Sequence, residues 1–253
     1  MVKVCVLRTA GTNCDVETAF AFEQEGAVSD LVHINEILSN RRNLNDYQIL
    51  AIPGGFTYGD DIAAGKLLAN EIRYLLWEEI QEFVHRGNLV IGICNGFQVL
   101  VKAGILPECD GNQIATLAWN DSGKFEDRWV YLKTTAGNNS PWLRGLPEII
   151  YLPVAHGEGK FITDEETLEQ LNVRDQIAFQ YVDKEGNLAG YPFNPNGSLR
   201  NIAGITDPSG HILGLMPHPE RFIHKTQHPR WTREEIDVPH GKLIFKNAIS
   251  YFR

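Results

Sequence analysis

The chain has no apolar run long enough to span a bilayer, no low-complexity tract and no internal repeat, which leaves an ordinary folded protein to explain. It is also short of positive charge: 23 Lys and Arg stand against 32 Asp and Glu, a formal net charge of -9. So acidic a chain suits neither a nucleic-acid backbone nor an anionic membrane surface, and neither is expected as a partner. Cysteine is scarce, at Cys5, Cys14, Cys94 and Cys109, with no C-x-x-C pair. In 253 residues this argues for free thiols in a reducing compartment rather than a disulfide framework. The apolar run from Met1 to Leu7 contains Lys3 and is too short for the core of an export signal, so a cytoplasmic location is expected.

What is present alternates. Short apolar runs at Val2 to Leu7, Val28 to Ile34, Ile49 to Ile52 and Leu89 to Ile93 read as buried strands. Between and after them, helical spacing predicts helices from about Cys14 to Glu25, with Thr12 or Asn13 as N-cap, from Lys66 to about Trp77, at Ile80 to Arg86, and at Asn95 to Ala103. The polar stretch Ser39 to Asn45 reads as a surface connection. Such alternation predicts an α/β fold, a mostly parallel sheet with helices on both faces, in one domain over residues 1–253.

Further along, Ile114 to Asn120 and Phe125 to Lys133 are expected as an antiparallel pair closed by a polar turn at Asp121 to Gly123. They would add to the parallel core away from the chemistry. Tyr151 to Val154 and Gln176 to Val182 read as strands, Ala203 to Thr206 and Ile212 to Met216 as a hairpin, and Gly241 to Phe252 as a closing helix.

The candidate chemistry centres on Cys94, in Gly92, Ile93, Cys94, Asn95, Gly96, a cysteine version of the G-x-S-x-G nucleophile elbow. A helix beginning after the sulfur supplies partial positive charge and unpaired N–H groups, which suits an anionic nucleophile. The Asn95 N–H would point where an oxyanion forms, and the Gly55 N–H, in the Pro53, Gly54, Gly55 turn after the third strand, is a second donor. His218 leaves a strand end between Pro217 and Pro219, with Glu220 two residues on, as a base and its orienting group require. Taken singly, each feature is also what a plain turn or a buried cysteine shows; together they describe acyl transfer from an amide. His224, His228 and His240 lack a matching cysteine or carboxylate pattern, so no metal site is expected and Arg221 to Pro239 reads as a solvated, basic loop that faces a partner.

These motifs resemble the class I triad glutamine amidotransferases, through PGG at 53–55, GICNGFQ at 92–98 and HPE at 218–220. GTNCD at 11–15, GGFTYGDD at 54–61, AHGEGKF at 155–161 and MPHPER at 216–221 are similar, in the same order, to the family of phosphoribosylformylglycinamidine synthase glutaminase subunits. Thr9 and Ala10 depart from that pattern, which often has a proline there. The resemblance implies glutamine as substrate, with Gln98, His156 and Gly157 helping to hold it. It implies no cofactor in this chain, and ammonia passing to a synthetase subunit that carries ATP and magnesium, with a third small subunit as a further partner. A cysteine hydrolase or thiol chaperone on a similar sheet is the rival reading, against which the His218 and Glu220 pair and the GG turn argue; a non-catalytic binding subunit is a third, against which the intact set of Cys94, His218 and Glu220 argues.

Overall fold

The structure, a computed structural model, describes residues 1–135 and 137–253. Its strands are β1 (Lys3–Arg8), β2 (Val28–His33), β3 (Ile49–Ile52), β4 (Leu89–Ile93), β5 (Ala115–Ala118), β6 (Glu126–Thr134), β7 (Ile149–His156), β8 (Lys160–Thr163), β9 (Ile177–Val182), β10 (Ile202–Thr206) and β11 (Ile212–Leu215). Its helices are α1 (Asp15–Glu23), α2 (Ile34–Leu38), α3 (Lys66–Leu75), α4 (Trp77–His85), α5 (Asn95–Lys102), α6 (Glu165–Val173) and α7 (His240–Tyr251). None of them is long and apolar enough to cross a membrane.

Nine strands form one sheet in the order β2-β1-β3-β4-β11-β10-β9-β6-β7. The pairs from β2 through β11 are parallel and the rest antiparallel. Strands β3 and β4 are buried along their whole length, which explains why they read as unbroken apolar runs rather than alternating ones. The chain winds from β1 outward to β2 on one side and from β3 to β4 on the other. Right-handed crossovers therefore send α1 to one face and α3 with α4 to the opposite face. Consistent with this, α1 packs with α7, and α3 with α5. The winding reverses at β1 and β3, and a crevice opens there beyond the carboxyl ends of the parallel strands, where α/β sheets place their ligands.

Several expectations need correction. Helix α1 is capped by Cys14 with no side-chain hydrogen bond, not by Thr12 or Asn13, and Asp15 and Glu17 in its first turn face the positive end of the helix dipole instead. An unexpected short helix, α2, precedes the polar connection, started where the His33 ring accepts from the Asn35 N–H at 3.2 Å and the Glu36 carboxylate accepts from the His33 N–H at 3.3 Å. Strands β5 and β6 do not pair with each other. β5 pairs with β8 in a separate two-stranded sheet, and β6 lies between β7 and β9. The polar turn between them is real, but its backbone bonds leave the expected hairpin: Asn120 N–H goes to Gly157 O at 2.9 Å and Asp121 N–H to Asn196 O at 3.1 Å.

The stretch 221–239 is not simply solvated. His228 is buried among Trp129, Tyr151 and Phe222, with ring centroids 5.5 to 5.6 Å away. Burial depresses its basicity, so the ring sits there as a neutral aromatic anchor.

Candidate active site

Four neighbouring parallel strands deliver the site from their carboxyl ends: β1 leads to Cys14, β3 to Gly54 and Gly55, β4 to Cys94, and β11 to His218. Register explains why β4 and β11 bring Cys94 and His218 to the same end of the sheet, since Gly92 pairs with Gly214 and Ile93 with Leu215, and the Cys94 N–H donates to Leu215 O at 2.8 Å.

Cys94 has φ 51° and ψ −106°, a conformation most side chains avoid, as expected of a nucleophile raised on a sharp strand-to-helix turn. The flanking glycines matter through space rather than φ. A Cβ on Gly96 would lie 1.9 Å from Ile52 O, and one on Gly92 would lie 2.6 Å from Gly96 O, so only glycine lets α5 sit this close to β3 and β4. The N–H groups of the first turn of α5, Asn95 included, have no carbonyl within the helix to bond. Gly55 has φ 146°, its missing Cβ makes room for the Gly11 and Asn13 backbone, and the residue lines the pocket.

Glu220 holds His218 firmly: Nδ1 is 2.6 Å from Glu220 Oε1, and both side chains are buried. Burial alone would push the imidazole down, but the Glu220 carboxylate and the Cys94 and Cys14 sulfurs outweigh it and hold His218 well above the usual histidine range. Gly54 is the spacer between base and nucleophile. A Cβ there would be 2.9 Å from His218 Cε1 and 3.5 Å from Cys94 Cβ.

Behind the nucleophile, the buried Asn95 amide organises the site. Its Oδ1 accepts from the Thr57 N–H at 3.2 Å and Thr57 Oγ1 at 2.8 Å, while its Nδ2 donates to Asp60 Oδ1 at 3.1 Å and Gln98 Oε1 at 2.9 Å. Gln98 Nε2 in turn donates to Glu158 O at 2.5 Å. Thus the loop after β3, the nucleophile helix and the loop after β7 are one hydrogen-bonded unit. The Lys102 ammonium, buried and lowered by desolvation, closes it with a bond to Ala64 O at 2.5 Å and Glu158 Oε2 3.8 Å away.

His156 ends β7 as a buried residue rather than a free loop side chain. Its Nδ1 lies 3.0 Å from Asn120 Oδ1, which also accepts from the Gly159 N–H at 3.1 Å. Because Asn120 Nδ2 donates to two carbonyls, Lys124 O and His156 O, its Oδ1 must be the acceptor and His156 Nδ1 the donor. Burial, and to a lesser extent the nearby His218, push the His156 pKa down to about 3.

The resulting pocket has a volume of about 530 Å³ and is lined by Cys94, His218, Gly55, Gln98, His156 and Gly157 among others. The expected site residues are therefore brought together, Asn95 lying behind the wall with its backbone at the elbow. The stretch 114–133, expected to be less central to the chemistry, reaches the pocket, since Trp119, Phe125 and Asp127 line it and Asn120 fixes His156. Nothing in the composition of that stretch marks it, for its role comes from where β5 and β8 carry it. Cys14 and Arg221 also reach the pocket, with Arg221 Nη2 3.3 Å from Cys14 Sγ.

Residues 1–252 match the family described as CobB/CobQ-like glutamine amidotransferase domain. Over 256 aligned residues, 100% of this chain and 98% of the relative, the sequence is 50% identical to phosphoribosylformylglycinamidine synthase subunit PurQ of Dehalococcoides mccartyi. It is 43% identical to the subunit of the same name in Methanococcus maripaludis, over 99% of this chain and 97% of that one. Among solved structures, it is similar to a chain of PurLQS from Thermotoga maritima, with a TM-score of 0.76 and 30% identity over 100% of this chain and 99% of the other.

Proposed function

Because the chain belongs to the CobB/CobQ-like glutamine amidotransferase domain family, we propose that it is the glutaminase subunit of a phosphoribosylformylglycinamidine synthase. It is a single amidotransferase domain over residues 1–253 that releases ammonia from the side-chain amide of glutamine. A synthetase subunit uses that ammonia, with ATP and magnesium held on its side, to convert phosphoribosylformylglycinamide to phosphoribosylformylglycinamidine in purine synthesis. The relative from Thermotoga maritima is described as PurLQS, which supports a complex of this kind with a third small subunit. A cytoplasmic setting follows from the pathway.

The observation that carries the reading is the buried His218–Glu220 pair at 2.6 Å beside an elbow cysteine with φ 51°. His218 takes the Cys94 proton, Cys94 Sγ attacks the amide carbon, and the N–H groups of Gly55 and Asn95 hold the oxygen as it takes on charge. When the tetrahedral intermediate collapses, the His218 imidazolium gives its proton to the leaving nitrogen, so ammonia departs and a thioester remains on Cys94. Water, activated by the now neutral His218, hydrolyses the thioester to glutamate and restores the thiol. Glu220 fixes the ring and stabilises its charged form throughout. Gln98, His156 and Gly157 shape the subsite for the amino-acid end of glutamine. The basic stretch Arg221 to Pro239 faces the synthetase, and its removal is expected to weaken the complex.

The test is product formation by the natively co-purified complex, with glutamine or ammonium as nitrogen donor. Cys94→Ala should abolish the glutamine-driven reaction and leave the ammonium-driven one. Product from glutamine in that variant, or no product from either donor with the wild-type chain, would overturn the assignment.

A further inference from the structure

Cys14 stands in the pocket and, beyond helping to keep His218 charged, is given no step in the reaction just described. Its Sγ, one ring nitrogen of His218 and one carboxylate oxygen of Glu220 lie within 4.8 Å of one another, and all three residues are buried. Of the same residues, His218 Nε2 and Glu220 Oε2 have no hydrogen-bond partner among the described residues, although the residues are only 2% and 1% exposed. Leaving a buried polar atom unmatched is costly, so a group able to reach them gains by doing so.

A thiolate, an imidazole and a carboxylate are the donors that zinc takes, at about 2.0–2.3 Å from the ion, which places tetrahedral ligands roughly 3.5 Å apart. Side-chain shifts of about 1 Å would close the cluster to that size. Cys14 and His218 both line the pocket, so an ion could reach them from it. The Arg221 guanidinium, 3.3 Å from Cys14 Sγ, opposes a cation, but its Nε is 3.1 Å from the Glu17 carboxylate, which offsets that charge.

We propose that Cys14, His218 and Glu220 form a zinc-binding site whose occupancy removes His218 from the reaction and so shuts off glutamine use. This is an inhibitory site, not a cofactor site. The inhibition rests on the function proposed above; the binding does not.

Cadmium, which takes the same ligands and reports thiolate bonding in the ultraviolet, tests the binding on the full chain. One equivalent should give the thiolate-to-cadmium band in the wild type and in Cys94→Ala, and the band should be lost in Cys14→Ser, with Cys14→Ala as a second variant of the same kind. A band that survives both Cys14 variants, or disappears in Cys94→Ala, assigns capture to the nucleophile alone and overturns the proposal. In the complex, zinc should inhibit product formation from glutamine more strongly than from ammonium, a chelator should reverse it, and Cys14→Ser should raise the half-inhibitory concentration at least about tenfold. Equal inhibition with both donors, or of Cys14→Ser and wild type, rejects it. Glutamine-driven turnover without zinc is read in the same assay, so a failure of the functional assignment shows separately.

Discussion

Gln98 Nε2 donates to Glu158 O at 2.5 Å while Gln98 Oε1 accepts from Asn95 at 2.9 Å, so both ends of this amide are engaged inside the protein. The side chain links the helix that begins at the nucleophile to the loop that forms the opposite wall of the pocket. Gln98→Glu would set a carboxylate oxygen against the Glu158 carbonyl and push the two walls apart. The expected outcome is a fall of at least about tenfold in kcat/KM for glutamine, near 1.4 kcal/mol, with ammonium-driven synthesis unchanged. Steady-state rates with each donor check it, and an unaltered glutamine rate would remove Gln98 from the subsite.

Gly96→Ala is expected to destabilise the fold by about 1–3 kcal/mol or more, because the added methyl would lie 1.9 Å from Ile52 O and drive α5 off β3. Urea unfolding measures this. A midpoint equal to the wild type would mean that the elbow tolerates displacement.

The raised basicity of His218 makes a directional prediction for activity. Since Glu220 and the neighbouring sulfurs favour the imidazolium, activity that needs the acid form should persist above the ordinary histidine range and fall on the alkaline side. Glu220→Gln removes the largest favourable charge, so the alkaline limb of kcat/KM should move to lower pH, alongside a loss of rate. A pH profile whose alkaline limb stays in place would separate Glu220 from His218.

His156 predicts acid sensitivity of the fold. The unfolded chain takes a proton near 6.5, whereas the folded ring resists it down to about 3. Its contribution is therefore fully present above 6.5 and is lost progressively as the pH falls from 6.5 through 3. Unfolding free energies at pH 7 and pH 5 should differ more in the wild type than in His156→Gln. Identical pH dependence in the two proteins would contradict this account.

Lys102→Met replaces a buried ammonium by an apolar chain of similar length but leaves the Glu158 carboxylate, 3.8 Å away, without its counter-charge, so the fold loses stability. The bond to Ala64 O also disappears, and the loop after β3 loses its tie to α5. Lower stability together with a reduced glutamine rate is expected. A wild-type rate would show that the loop is held without it.

Much of this site was legible in the sequence because its chemistry sits in contiguous motifs at strand ends. Cys94, His218 and Glu220 each follow a short apolar run, and such runs announce buried strands. Asn120 and Asn196 were not legible. They act through long-range contacts, Asn120 on His156 and Asn196 on Gly159 O at 2.8 Å, and nothing local distinguishes either from an ordinary loop asparagine. The failed β5–β6 hairpin has the same origin: adjacency along the chain suggested a partner, while β8 and β7 offered better edges. Helix α2 escaped notice because histidine seldom serves as a cap.

The order of the sheet also governs when activity can appear during synthesis. Strand β11 is the last to leave the ribosome, yet it is inserted between β4 and β10, near the middle of the sheet. Until it arrives, both of those strands present open edges, and the cysteine exists without its base. A nascent chain therefore cannot consume glutamine, and it is most exposed to edge-to-edge association in the interval just before its final quarter emerges.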